Sequence, residues 1–380
     1  MSQIGINPSM TTSATLTACL RERIADYDRL NGDGNELTLI KEVHRRFCRL
    51  YLFRLTSSGR PDLVVKVPVG HSDVAYETHR HDPCFVDRPR LFERAVPESK
   101  SSREYAALCR IQTHFDAKPD RRFGVVRVYD LLPENQAMVL QWIDQPSLRA
   151  LLYKTHRLAN VRRARQLEGA FHHAGAWLRW HHALPSLPHA EIRNTSRDAY
   201  LDAVEKFVAY LTNHVSDGDE MRQMHQRIVA LAHEHIPTTV PTGQVHGDFA
   251  PRNIFVGHGN RVSIFDTLGR FEAPIYEDIA KMLMTVQASG PQLFSRGLFF
   301  DHNRLTRFEQ HFLEGYFSDQ PIPLPTIRLF LAQQLLEHWS AVVYRHQQQR
   351  GVKRLAKGLR RTIWQSGFRS YLRHIISIRG

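Results

Sequence analysis

Cysteine is scarce in this chain of 380 residues: Cys19, Cys48, Cys84 and Cys109 are all there is, with no CxxC pair and no zinc-ligand spacing. That argues against a disulfide framework and suits a reducing compartment. Long apolar runs are missing as well; none approaches the roughly 20 residues that cross a bilayer. The opening MSQIGINPSMTTSATL has neither a basic start nor an apolar core. No secretory leader is therefore expected, and the chain reads as cytoplasmic. Acid is absent from the end: residues 338–380 hold ten Lys or Arg and no Asp or Glu. Without that stretch the net charge would be +3 instead of +13. Such a basic segment suits an anionic partner, and it places the chain, if anywhere, at the inner face of a membrane. Nucleic acid is not expected, because no aromatic stacking motif or recognition module is present. Glycine is missing from one telling place, the turn EVHRRFC.

What remains is a globular composition, 42% hydrophobic, large enough for one big domain or two medium ones. Residues 1–35 read as a helical extension, with an amphipathic helix over 14–30. Residues 36–143 read as a sheet-rich unit. Strands are expected at 36–43, 46–55 and 61–69, then a polar stretch 71–98, a Ser-capped helix 99–115, and strands 123–132 and 137–143. Residues 144–350 read as helical, for example over 157–184 and 197–215, apart from a loop-and-strand interruption near 244–266 and a Pro-rich stretch 319–326. Residues 351–380 read as a basic amphipathic helix, with Leu355, Leu359, Ile363, Phe368, Leu372, Ile375 and Ile376 roughly on one face. The expected fold class is α+β: a five-stranded antiparallel sheet with one main helix, then a mostly helical lobe, with a site between them.

The interruption carries the chemistry. QVHGDFAPRNIF sets Asp248 and Asn253 five residues apart, and Asp266 ends the following strand in VSIFD. Three hard oxygen donors so placed suit a Mg²⁺ ion and proton transfer. Phosphoryl transfer from ATP needs a lysine on the α/β-phosphates, a carboxylate to hold that lysine, oxygens for Mg²⁺, and a base for the acceptor hydroxyl. Lys66 in LVVKVPV and Glu104 in SREYAAL complete such a set in a workable order.

HGDFAPRN followed by IFD resembles the catalytic and metal-binding motifs of the aminoglycoside phosphotransferase and choline kinase group, which shares the protein-kinase-like fold. The resemblance runs over roughly residues 36–285. It implies that loop 246–253 is catalytic, with Asp248 as base, and that strand 262–266 leads to the metal. It implies Asn253 and Asp266 as Mg²⁺ ligands, Lys66 on the ATP phosphates with Glu104 as its partner, and adenine against the backbone of Gln141, Trp142 and Ile143. It further implies that His246 braces the loop and Asp278 in YEDIA anchors it. Arg252 is similar to the arginine of the RN ending in tyrosine-kinase loops, which implies a place near the transferred phosphoryl or an anionic acceptor.

Rival assignments stay open at this stage. Glu98 and Glu93 compete with Glu104 across the 38-position gap from Lys66, and His44, Arg45 or Arg46 stand where a glycine-rich phosphate cover would be. His79, His81 and Cys84 read as chance clustering, and His172, His173, His181 and His182 as packing or solvent-exposed residues. The acceptor is not written in the motif. A basic helical lobe leans toward a glycan or another anionic or envelope-associated sugar, rather than the polycation of an aminoglycoside or amino-alcohol kinase. Two other classes are an idle nucleotide-binding module and a basic surface adaptor.

Overall fold

The computed structural model describes residues 12–27, 37–45, 48–55, 60–68, 97–118, 120–154, 161–186, 190–193, 195–215, 218–267, 271–288, 302–347 and 353–377. Strands β1 (Thr38–His44), β2 (Cys48–Arg54) and β3 (Leu63–Pro68) form an antiparallel meander. β5 (Val128–Leu132) and β6 (Ala137–Gln141) extend it into one sheet ordered β1-β2-β3-β6-β5. Side chains alternate across a strand, so each face of the sheet collects every second residue. Tyr51, Phe53, Leu63, Val65, Val67, Ala137 and Val139 face outward and are buried under α1 (Ser13–Arg23), with Leu16, Leu20, Ile24 and Tyr27. Leu52, Val64, Met138 and Leu140 face inward, onto Leu108 of α2 (Pro97–Asp116). Lys66 shares the parity of Val64, and this puts it on the inner face.

α1 starts on Thr12, whose side chain accepts the amide of Thr15. The helix expected through residue 30 stops at Arg23 and ends in a 3₁₀ turn, Ile24–Asp26. Tyr27 explains the early stop. Its hydroxyl donates to Asp130 Oδ2 at 3.1 Å and its ring stacks on Tyr129, so the chain leaves the helical path to reach β5.

The single strand expected over 123–132 is two strands in two sheets. β4 (Phe123–Val125) pairs in parallel with β10 (Val262–Ile264), which pairs antiparallel with β9 (Ile254–Val256). The change of sheet falls at Val126, whose amide donates to Ile264 O at 3.0 Å. A third sheet joins β7 (Glu191–Ile192), β11 (Phe271–Pro274) and β8 (Thr242–Val245).

The helical lobe contains α3 (Leu148–Tyr153), α4 (Val161–His182), α5 (Arg197–His214), α6 (Gly218–His235), α7 (Tyr276–Ala288), α8 (His302–Phe317), α9 (Leu324–Gln347) and α10 (Lys353–Ser377). Ser147 and Ser196 cap α3 and α5. α4 and α8 cross at glycines: a Cβ on Gly175 would lie 2.0 Å from Phe312 O, and one on Gly315 2.0 Å from His172 O. Phe115 near the end of α2 stacks on Trp177 of α4, tying the sheet's helix to the helical core. At its described end the apolar face of the terminal helix is covered. Phe368, Leu372, Ile375 and Ile376 are buried in the lobe, with Phe368 stacked on Trp339, and Arg369 and Arg373 pair with Glu220. The side chains of Leu355, Leu359 and Ile363 lie outside the described residues. No described helix is long and apolar enough to cross a membrane.

Candidate active site

The loop after β8 turns on Gly247, whose φ of 83° is a left-handed value that glycine adopts without penalty. His246 is fully buried against Phe249 and Trp177. Its Nε2 lies 3.1 Å from Phe265 O and its Nδ1 accepts the amide of Asp248 at 3.3 Å. Those two bonds require a neutral ring with the proton on Nε2. Burial, the largest influence, pushes its pKa below the usual histidine value. The ring thereby joins the loop to the end of β10.

Asp278, in the first turn of α7, holds the same loop from beneath. Its Oδ2 accepts the amide of His246 at 2.6 Å and its Oδ1 the amide of Gly247 at 2.9 Å. Burial would raise its pKa, but His182 and the loop amide outweigh burial and bring it down to about 2. His182, which the sequence offers only as a packing or solvent-exposed residue, holds Asp278 in turn. Its Nε2 sits 3.1 Å from Asp278 Oδ2, and its Nδ1 lies 2.7 Å from the hydroxyl of Tyr316 on α8.

At the loop's far end a 3₁₀ turn, Pro251–Asn253, starts at a buried proline. The Asn253 side chain donates through Nδ2 to Asp248 O at 2.9 Å and to Asp248 Oδ2 at 3.0 Å. The carboxylate of Asp248 is also held by Arg252, whose Nη2 bonds both oxygens.

On the inner face of the sheet, Lys66 Nζ donates to Glu104 Oε1 at 2.5 Å and to Asp266 Oδ1 at 2.7 Å. Burial alone would lower its pKa; Asp266 and Glu104 outweigh that and hold the ammonium well above an ordinary lysine. Asp266 stands two residues past β10 with φ 63°, a costly backbone for a residue with a Cβ. The side chain of Glu98 and all of Glu93, Arg46, His79, His81 and Cys84 lie outside the described residues. His44 pairs with Glu42, and the Arg45 amide bonds Cys48 O at 2.8 Å.

β6 ends at Gln141, and Trp142 and Ile143 lead on toward α3. The Gln141 amide donates to Arg127 O at 2.9 Å and the Trp142 amide to Asp62 O at 3.0 Å, on opposite sides of the chain. Extended backbone alternates, so the carbonyl of Gln141 and the amide of Ile143 share one edge. An apolar floor lies close by. Val64, Met138 and Leu140 of the sheet meet Phe255 and Phe265, whose rings stack at 5.1 Å. The sequence reading omitted this floor, although Val64 lies two residues before Lys66 and shares its face.

The sequence matches the phosphotransferase enzyme family over residues 51–311. A search of curated protein sequences gives no match. Among solved structures, the chain is similar to a provisional aminoglycoside phosphotransferase from Ralstonia eutropha, with TM-score 0.57, 14% identity, and 96% of this chain and 98% of that one covered. It is also similar to the streptomycin–ATP ternary complex of APH(2")-IIa, with TM-score 0.51, 14% identity, and 94% and 97% covered. A third is the amicoumacin kinase hAmiN in complex with AMP-PNP, Ca²⁺ and Ami, with TM-score 0.50, 12% identity, and 95% and 96% covered. At these identities the likeness establishes a shared kinase-like fold.

Proposed function

The chain belongs to the phosphotransferase enzyme family, and on that footing we propose that it moves the γ-phosphate of ATP to a hydroxyl of a small-molecule acceptor. The observation that carries the reading is Lys66 bonded at once to Glu104 and Asp266, residues 38 and 200 positions away in sequence. A buried ammonium held between two carboxylates suits the α/β-phosphates of a nucleotide. The neighbours in complex with ATP and AMP-PNP support the same donor.

In this reading adenine lies on the Val64–Phe255–Phe265 floor. The Gln141 carbonyl and Ile143 amide then meet the donor and acceptor along its edge. Asp248 accepts the proton of the acceptor hydroxyl. The hydroxyl oxygen forms the new bond to γ-phosphorus, and the bond from that phosphorus to the bridging oxygen breaks, the electron pair leaving with ADP. Asn253 and Asp266 fit a Mg²⁺ ion: both are hard oxygen donors, and the Nδ2 of Asn253 is spent on Asp248, which leaves its Oδ1 for a metal. When bound, Mg²⁺ would neutralise charge on the phosphates. His246 and Asp278 shape the loop and stay out of the chemistry.

The acceptor is where the reading leans furthest. Among the described residues beside the loop, Glu277 is paired with Arg193, Glu272 is bonded by the hydroxyls of Ser186 at 2.5 Å and Thr242 at 3.3 Å, and Arg252 places a cation next to the base. A polycationic acceptor would meet that arginine. This favours a neutral or anionic sugar, such as an envelope glycan, over an aminoglycoside or amino alcohol. Contact with an anionic membrane through 351–380 would bring such an acceptor near, in a cytoplasmic enzyme.

The test is Mg²⁺-dependent ATP turnover by wild type and Asp248→Asn with sugars, sugar acids, aminoglycosides, choline and envelope glycolipids. We expect turnover that needs one acceptor and falls by at least about a thousandfold in the variant. ATP binding without turnover on any acceptor would favour a binding module instead.

A further inference from the structure

We infer that Arg252 is the residue by which this site distinguishes a nucleoside triphosphate from a diphosphate, by trading the carboxylate of Asp248 for the terminal phosphate. The inference rests on the kinase reading above. It starts from a crowded base. Three of the roughly four lone-pair sites of the Asp248 carboxylate are filled, one on Oδ1 and one on Oδ2 by Arg252 Nη2 and the second on Oδ2 by Asn253 Nδ2 at 3.0 Å, so the guanidinium occupies the side from which an acceptor hydroxyl would reach both oxygens.

Asn253 cannot move away cheaply. It is buried, its amide donates to Ala250 O at 2.9 Å, and its Nδ2 also holds the backbone carbonyl of Asp248. Arg252 can move. Its side chain is 42% exposed, and its backbone is set by the turn that begins at Pro251, so only side-chain rotation is needed. Arg252 immediately precedes Asn253, so the guanidinium leaves Asp248 in the neighbourhood of the incoming phosphates. A γ-phosphate offers several acceptor oxygens and more charge than one carboxylate. A diphosphate lacks that group and leaves the Arg252–Asp248 pair closed. The base is thus uncovered when there is something to transfer and covered when there is not.

This trade is a competition, so it is reciprocal. Removing Arg252 should weaken triphosphate binding, and removing the charge of Asp248 should strengthen it by releasing Arg252. Isothermal titration with AMP-PNP and with ADP, in Mg²⁺, reads both without an acceptor. We expect Arg252→Gln to weaken AMP-PNP about tenfold, the change for one charge-assisted contact, with ADP unaltered. We expect Asp248→Asn to tighten AMP-PNP severalfold, again with ADP unaltered. Loss of plain repulsion between Asp248 and phosphate would also tighten AMP-PNP, and a double-variant cycle separates the two. In the Arg252→Gln background the trade predicts no tightening by Asp248→Asn, whereas repulsion predicts that it persists.

Persistence overturns the inference. So does an Arg252→Gln effect equal for both nucleotides, or none on AMP-PNP. If wild type binds neither nucleotide, the kinase reading itself fails and takes this one with it. Wild-type binding of both with no triphosphate-specific effect defeats only the trade. Melting curves of each variant confirm that the proteins titrated are folded.

Discussion

At the scale of single residues the site is organised by who holds the loop. Asp278 is anionic, buried and depressed to about 2, with burial opposing and His182 and the loop amide prevailing. A carboxylate whose folded pKa lies below its unfolded value adds stability that is fully present above about pH 4 and lost as pH falls toward 2, roughly 2 kcal/mol here. Asp278→Asn should therefore lower the melting temperature at neutral pH, and the gap from wild type should close between about pH 4 and pH 2. Thermal melts across that range check it. His246 carries the opposite burden. It is neutral in the fold, so the unfolded chain binds more protons below about pH 6.5 and stability declines there as pH falls. Replacing it by Gln should flatten that part of the profile. The spacing of Asp248 and Asn253 was legible because both lie in one short segment. The role of His182 was not. Its partners Asp278 and Tyr316 are 96 and 134 positions away, and nothing local marks a histidine on a helix as bonded at both nitrogens.

At the scale of elements the strongest constraint is the crossing of α4 and α8. Gly175 and Gly315 bring each helix onto the other's backbone, where a methyl group has no room. Gly315→Ala should cost about 3 kcal/mol, near the upper end for overpacking, because the clashing atoms are carbonyls that cannot rotate away. Denaturant unfolding with an unchanged m-value would show it. The same crossing carries Tyr316 to His182, so the variant should also disturb loop geometry. The elements themselves were largely readable. The meander β1–β3 followed from period-two patterning, and its boundaries fall within two residues of those expected. The division of 123–132 was hidden, because FGVVRVYDLL is continuously strand-like. Only the location of β10, more than a hundred residues on, decides that its first part leaves for another sheet.

At the scale of the whole molecule, charge suggested more than it fixed. The basic tail reads equally as a helix packed on the lobe and as one turned to an anionic surface, and the apolar residues of its described end serve as core. Phe368→Ala should cost about 3–5 kcal/mol by opening the stack on Trp339. A lower melting temperature, with the emission of the buried tryptophan shifted to the red, checks this. If the proposed membrane contact occurs, Phe368, Leu372, Ile375 and Ile376 take no part in it, and its charge-driven share should weaken steeply with salt. Composition could not foretell this, since a helix face reads the same whether a lobe or a lipid covers it.

The crossing of the chain at Val126 has a mechanical consequence. The chain passes between the sheet and the helical lobe between α2 and β4, at Val126 and again at Gln141–Ile143, and the Val126 amide is pinned to Ile264 O. Away from these covalent crossings the two halves are joined by contacts that can part. Lys66 belongs to the sheet and Asp266, two residues beyond Ile264, to the other half. Their contact works as a clasp at the rim, and the span between these two side chains gauges how far the jaws stand apart.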